Sequence, residues 1–321
     1  MAKPLVAFYW CASCGGCEEA VVDLAEDILK VVDAVDIRLW PVALDFKRSD
    51  VEAMPDKSFA VAFINGAIRT EEQEEMVKLL RQKSQLIVAF GACSHLGGIP
   101  GLANIANKKE IFEMAYKLTR STANPDNVYP KTVTEIPQGK LTLPEFFDTV
   151  KTLDQTIETD YYLPGCAPPP DLIMNAVTAI LEGKLPPKGS VLTVDKALCE
   201  TCERNKTKPD KLAIKDIKRI SMVKADPEKC FLAEGIICLG PATRGGCGER
   251  CINANMPCRG CFGPTKEVKD MGAKFLSSLA SIIDVDDEKE IEKIAESVLD
   301  PIGLFYMYSL PSSILKRKKG V

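Results

Sequence analysis

Histidine is almost absent: among 321 residues there is one, His95. That scarcity excludes multi-histidine metal sites and most histidine-based proton relays. An excess of positive charge is also missing, because 41 Lys and Arg face 45 Asp and Glu for a formal net charge of -4. A nucleic-acid binder needs a basic surface to displace counterions from phosphates, so that class is set aside. The one dense basic run, Lys316-Arg317-Lys318-Lys319, reads as a solvated C-terminus. No stretch reaches the roughly 18 consecutive apolar residues of a membrane span. The N-terminus, MAKPLVAFYWCASC, carries one Lys, no twin arginine and no small-residue cleavage site. These absences lead to the expectation of a cytoplasmic protein with no membrane span and no nucleic-acid partner. Common catalytic signatures are missing too: there is no Gly-rich phosphate loop, no nucleophile elbow and no HExxH.

What is abundant is cysteine, with 13 residues. In a reducing compartment thiols stay reduced, and an odd count fits a disulfide framework poorly. Clustered cysteines are therefore read as metal ligands. A composition of 46% hydrophobic and 27% charged residues is ordinary for a chain with sizeable cores, and the length suits about two domains.

The first half alternates short apolar runs with amphipathic stretches, the pattern of βαβ units and a parallel sheet. Strands are expected at residues 5–10, 37–42, 59–65, 86–90 and 161–163, with helices at 18–32, 71–81 and 171–181. Residues 121–139, rich in Asn and Pro, read as an excursion across the surface. At residues 182–190 periodicity stops and Pro and Gly concentrate, which divides the chain into domains 1–183 and 190–321. Eight of the 13 cysteines fall between Cys199 and Cys261, in a stretch with little apolar material of its own. Something besides hydrophobic burial is expected to hold it together. Beyond it, Phe275, Leu276, Leu279, Ile282 and Ile283 form one helical stripe, and Ile291, Ile294, Val298 and Leu299 another.

In a doubly wound parallel sheet, ligands bind outside the carboxyl ends of the strands. The N-terminal cysteines obey that rule: Cys14 and Cys17 follow the first strand, Cys93 follows the fourth, and Cys166 the fifth. Four soft thiolates suit either tetrahedral zinc or a 4Fe-4S cluster, and the glycines around each cysteine favour the cluster, which needs close backbone approach. In the second half, Cys199-Glu-Thr-Cys202 and Cys258-Arg-Gly-Cys261 are CxxC pairs with Cys230, Cys238, Cys247 and Cys251 between them. Eight ligands make two four-thiolate sites; a pair of zinc ribbons competes, and spacing does not fix the pairing.

Six segments in order carry a resemblance: Cys14-Gly-Gly-Cys17-Glu-Glu19, Gly91-Ala92-Cys93 with Gly97-Gly98-Ile99-Pro100-Gly101-Leu102, Gly165-Cys166-Ala-Pro-Pro, Cys230-Phe-Leu-Ala-Glu-Gly235, Cys238-Leu-Gly-Pro241 and Pro257-Cys258-Arg-Gly-Cys261. The chain resembles the small subunit of nickel-iron hydrogenases over some four fifths of its length. The resemblance implies an α/β architecture: a flavodoxin-like doubly wound parallel sheet, then a smaller iron-sulfur domain with little regular structure and C-terminal helices. It implies a proximal 4Fe-4S cluster on Cys14, Cys17, Cys93 and Cys166, facing a nickel-iron centre on a separate large subunit. It assigns Cys199, Cys202, Cys230 and Cys238 to a distal cluster, and Cys247, Cys251, Cys258 and Cys261 to a medial one. Cys199 stands where the periplasmic pattern has His, and Cys251 where it has Pro, so three 4Fe-4S clusters are expected. Among cytosolic members the chain looks most like the F420-non-reducing (methyl-viologen-reducing) type of methanogenic archaea. That type passes electrons from hydrogen through an iron-sulfur partner subunit to heterodisulfide reductase. No residue of this chain would then split hydrogen itself.

Three further residues carry alternatives. Glu19 matches the family's acidic residue after the CxxC, where it tunes or gates the proximal site, yet the helix dipole explains a Glu in a first turn equally. His95 either serves the cluster, donating to a sulfide or moving a proton, or makes a structural hydrogen bond. Cys11 is an alternative ligand or a spare thiol at a strand end. Two rival functions remain open: the small subunit of a deazaflavin- or nicotinamide-reducing hydrogenase, and a zinc-stabilised binding protein. The apolar run from Leu304 to Leu310 reads as a partner face or as part of its own core.

Overall fold

The computed structural model describes residues 3–317. Its strands, in chain order, are β1 Leu5–Trp10, β2 Asp36–Leu39, β3 Phe59–Asn65, β4 Ile68–Thr70, β5 Ser84–Phe90, β6 Val133–Ile136, β7 Gly139–Thr142, β8 Phe146–Lys151, β9 Tyr161–Leu163 and β10 Ser190–Val191. Six of them form one parallel sheet in the order β2-β1-β3-β5-β9-β10. This is the flavodoxin-like winding with an extra strand at its far edge, and it bears out the expected α/β class. Helices cover both faces, so the central strands are buried on both sides and read as nearly unbroken apolar runs.

The pleat divides those runs between two cores. Val6, Phe8, Val61, Phe63, Val88 and Phe90 point to one face, where Ile173 and Ala176 of the helix Pro170–Leu181 meet them. Ala7, Ala62, Ile64, Ile87 and Ala89 point to the other, against Met76, Val77 and Leu80 of the helix Glu71–Lys83. Rings fill the first face: Phe8 stacks on Phe63 at 5.1 Å between centroids and meets Phe90 edge-on at 6.4 Å. Burying each of these side chains contributes about 1.5–3 kcal/mol.

Four local features differ from the sequence reading. The helix expected at 18–32 is two, Gly16–Val22 and Asp27–Ala34, broken where Ala25 takes a left-handed φ of 51°. Periodicity did not mark the break because Val21, Leu24 and Val31 keep one helical face and are all buried. An antiparallel pair of β4 with β8 lies outside the main sheet, and β6 and β7 form a hairpin that begins in the expected surface excursion and runs past its end. Every residue of that hairpin's strands is exposed, so no buried face imprinted an alternation on it. Finally, Ser190 and Val191 pair with Tyr161 and Tyr162, so the sheet continues past the Pro- and Gly-rich stretch.

The C-terminal region has short helices and few strands, but more core than its cysteine-rich stretch suggested. Leu198, Phe231, Leu232 and Leu239 pack with Phe275, Leu279, Phe305 and Leu310, so the later helices supply the apolar material. Of the two expected stripes, Phe275, Leu279 and Ile294 are buried, while Leu299 is 72% exposed. Phe305, Tyr306 and Leu310 are buried as well, which settles the run from Leu304 to Leu310 in favour of packing.

After the helix Pro301–Phe305 the chain returns to the sheet region. There the Gly98 N–H donates to the Tyr308 carbonyl at 2.9 Å, Gln155 Nε2 to the Pro311 carbonyl at 2.8 Å, and Asn104 Nδ2 to the Lys316 carbonyl at 2.9 Å. Arg317 pairs with Asp148 at 2.5 Å, while Lys318 and Lys319 of the basic run lie outside the described residues. Among the described residues no helix is long and apolar enough to cross a membrane.

Candidate metal centres

The carboxyl ends of β1, β5 and β9 lie along one edge of the parallel sheet, and the loops leaving them bring Cys14, Cys17, Cys93 and Cys166 together. Burial pushes the Cys17 thiol up, and the neighbouring Cys93, Cys166 and Cys14 push it further. Burial, then Cys166 and Cys14, raise Cys93 to about 12. Cys17 and Cys93 are buried whereas Cys14 and Cys166 are exposed, so the set opens to one side. Backbone presses close on it. A Cβ built on Gly91, at φ 87°, would lie 2.3 Å from Cys17 Sγ, and one on Gly98 would lie 2.4 Å from Cys93 Sγ.

A second set gathers Cys199, Cys202, Cys230 and Cys238 around a cavity walled by Leu198 and Phe231. Burial raises Cys199 to about 12, with Cys238, Cys230 and Cys202 adding to it. Cys238 rises to about 11 through burial, opposed by the Gly240 and Cys258 N–H groups that donate to its sulfur. The guanidinium of Arg204 lies 4.3 Å over the Phe231 ring and donates to the Ile252 carbonyl and to Asn255 Oδ1, clamping the walls.

The third set is Cys247, Cys251, Cys258 and Cys261. Burial raises Cys261 to about 12, opposed by a hydrogen bond from the Cys166 N–H and aided by Cys166, Cys247 and Cys251. Cys258 is pushed well up by burial, with Cys238 beside it. Cys247 is raised by burial, while the Glu249 and Arg250 N–H groups donate to its sulfur. This set touches both others. Cys166 of the first lies close enough to Cys261 to raise its thiol, and the Cys258 N–H donates to Cys238 Sγ of the second at 3.3 Å.

All 13 cysteines are free thiols. Cys11 stands apart: burial alone raises it, and it packs in the core on the sheet face opposite Cys17. Glu19 is exposed in the first turn of the helix Gly16–Val22. Its neighbour Glu18 is buried instead, accepting from Asn65 Nδ2 at 3.3 Å while Ser13 Oγ donates to Asn65 Oδ1 at 3.0 Å. The sequence reading passed over Glu18, although its position three residues before the core residue Val21 was a signal. The His95 ring lies 4.7 Å from that of Tyr162, burial with Arg244 nearby pushes it down to about 3, and its Nδ1 is buried without a partner. It is therefore a neutral ring against Tyr162. Among the described residues no group of three or more His, Cys, Asp or Glu closes tightly enough to hold a single metal ion.

A family model described as NADH ubiquinone oxidoreductase, 20 Kd subunit, matches residues 14–180, the span of the first cysteine set. The iron-sulfur subunit of the F420-non-reducing hydrogenase of Archaeoglobus profundus is 42% identical over 316 residues, covering 98% of each chain. The chain belongs to the family of F420-non-reducing hydrogenase iron-sulfur subunits. The corresponding F420-non-reducing hydrogenase subunit of Methanothermobacter thermautotrophicus is 35% identical over 319 residues, 98% of this chain and 97% of its own. Similarity to these two relatives extends through the C-terminal region that the family model leaves out. A chain of the NAD+-reducing nickel-iron hydrogenase crystal structure overlaps 57% of this chain and 94% of its own, with 26% identity and a TM-score of 0.49. As a member of its family, the chain is an oxidoreductase subunit of a hydrogenase.

Proposed function

We propose that this chain is the electron-transfer subunit of a cytoplasmic nickel-iron hydrogenase. In this reading residues 1–183 hold the proximal 4Fe-4S cluster, and residues 190–321 hold the medial and distal ones. The observation that carries it is the row formed by the three cysteine sets. Cys166 lies beside Cys261, and the Cys258 N–H donates to Cys238 Sγ. That order, Cys14 set to Cys247 set to Cys199 set, is the order a wire needs.

The donor sets fit such clusters. Each offers four thiols, each has backbone N–H groups aimed at sulfur, and Gly91, Gly98 and Gly240 allow close approach where a Cβ would crowd a ligand sulfur. When bound, each cluster supplies a one-electron carrier whose potential depends on hydrogen bonds and solvent. A zinc ion with Zn–S bonds near 2.3 Å needs thiolates within about 4 Å of one another. The glycines that let backbone close on the ligand sulfurs favour a bulkier iron cube over the zinc-stabilised reading.

At the open side of the first set, Trp10 is 38% and Ile99 46% exposed, an apolar margin suited to a large subunit bearing the nickel-iron centre. Glu19 is exposed at the same helix end as Cys14, which supports a role at that contact. The half-buried Cys202 and Cys230 support electron exit at the second set, to an acceptor read as an iron-sulfur subunit leading to heterodisulfide reductase. The nicotinamide-reducing alternative is weaker: the NAD-reducing hydrogenase HoxS subunit delta of Cupriavidus necator is 25% identical over 57% of this chain.

Affinity purification of the tagged chain under anaerobic conditions tests the reading. It should bring down a larger nickel-containing chain, with hydrogen-dependent reduction of viologen dye. A stable, nickel-free monomer that reduces no dye contradicts it.

A further inference from the structure

The chain as a whole is acidic, with 41 Lys and Arg against 45 Asp and Glu, yet residues 206–224 reverse that balance. Seven Lys and Arg, from Lys206 to Lys224, stand there against only Asp210 and Asp216, and all seven are exposed. The segment runs between Cys202 and Cys230, two members of the second set. Lys206 pairs with Glu203, and Lys218 lies 3.7 Å from Asp216. Among the described residues Lys208, Lys211, Lys215, Arg219 and Lys224 form no ion pair. Residues 217–221 of this segment wall a groove of about 310 Å³. Ile217, Ile220, Leu299 and Met307 give it apolar sides, while Lys218, Arg219 and Arg259 bring positive charge. The one carboxyl in its lining, Asp300, already accepts from the Gly303 N–H, and Arg259 Nε is buried without a partner. Leu299 is 72% exposed and Met222, next to Ser221 of the wall, 79%. The lining is continuous with the cysteine sets: Ile237 precedes Cys238, Arg259 follows Cys258, and the Cys258 N–H donates to Cys238 Sγ at 3.3 Å.

On the electron-transfer reading above, we propose that this basic face and its groove dock the electron acceptor, an iron-sulfur protein with an acidic surface. Unpaired cations around an apolar centre match an interface whose charged rim steers and orients while its core excludes water. Carboxylates of the partner meet Lys208, Lys211, Lys215 and Arg219, and an apolar side chain of the same partner fills the groove. A partner carboxylate beside Arg259 also supplies the acceptor that its buried Nε lacks. The rest of the chain carries the acidic excess and repels such a partner, which restricts it to this face. Seated there, the acceptor lies against the segments that carry Cys238 and Cys258. One electron passes from the reduced second site to the oxidised iron-sulfur group of the acceptor, with no bond made or broken.

Carbodiimide cross-linking of the anaerobically purified complex, read by mass spectrometry, tests this, because the reagent joins a lysine amine to a carboxylate in contact with it. Lys208, Lys211 and Lys215 should couple to Asp or Glu of an iron-containing chain other than the nickel-bearing one. Lys215→Glu with Arg219→Glu should lose that chain from the complex, while hydrogen-dependent viologen reduction and the iron of this chain stay at the wild-type level. Lys289→Glu with Lys293→Glu makes the same charge change on the exposed side of the helix Glu288–Glu296 and should retain it. Links from Lys208, Lys211 and Lys215 only to the nickel-bearing chain, or no links from them at all, overturn the docking face. So does retention of the acceptor by the Lys215 and Arg219 double variant; hydrogen-dependent viologen reduction in the same samples keeps the electron-transfer reading intact. A wild-type complex that holds no nickel and reduces no viologen overturns both.

Discussion

In the first region, Cys14, Cys17, Cys93 and Cys166 hang from the ends of β1, β5 and β9, whose own side chains fill two cores whether or not anything is bound. In the second, Cys199 to Cys261 occupy short helices and turns, and their core is completed by Phe275, Leu279, Phe305 and Leu310 from farther along the chain. A sheet can preform a site, because strand pairing fixes where its loops leave. An irregular segment cannot, and its ligands and core must come together in the same step.

The largest test of that contrast is removal of the iron. Chelation under reducing conditions should abolish hydrogen-exchange protection across residues 190–317 while β1, β3 and β5 stay protected. Equal loss in both regions would erase the distinction. Next, Phe63→Ala should cost about 3–5 kcal/mol, as expected for a buried aromatic. Phe275→Ala should cost a similar amount, but denaturant melts should show iron release from the second and third sets only in Phe275→Ala.

Gly91→Ala acts on one site. Its Cβ would meet Cys17 Sγ at 2.3 Å, so the protein should lose about four iron, one cluster's complement. Elemental analysis reads this directly, and full iron retention would mean the first loop is looser than it looks. Cys251→Ala should convert the third site to a three-iron form, visible by EPR on oxidation, while the other two signals persist. The smallest effect belongs to Cys11→Ala, which should keep all iron and all electron transfer and cost only the burial of one sulfur, because Cys11 faces the opposite core.

The same contrast explains how much could be read from the residues. Strands β1, β3, β5 and β9 were legible because burial on both faces leaves continuous apolar runs, and with them came the first cysteine set, located by the rule that sites lie at strand ends. The eight later cysteines announced two sites, but spacing could not pair them; the assignment came from the hydrogenase resemblance. Cys199 with Cys238 and Cys247 with Cys261 are joined by folding of a segment that has no period to read. Glu18 was missed because the motif drew attention to the exposed Glu19 one position away.

The central claim is that twelve of the 13 cysteines form three four-cysteine sets, each carrying one cluster, with Cys11 left over. Mössbauer spectroscopy with metal and sulfide analysis on anaerobically purified complex tests it most directly. The account predicts about 12 iron and about 12 sulfide on this chain, all in 4Fe-4S form. Zinc in place of iron, or iron enough for only two clusters, would contradict it.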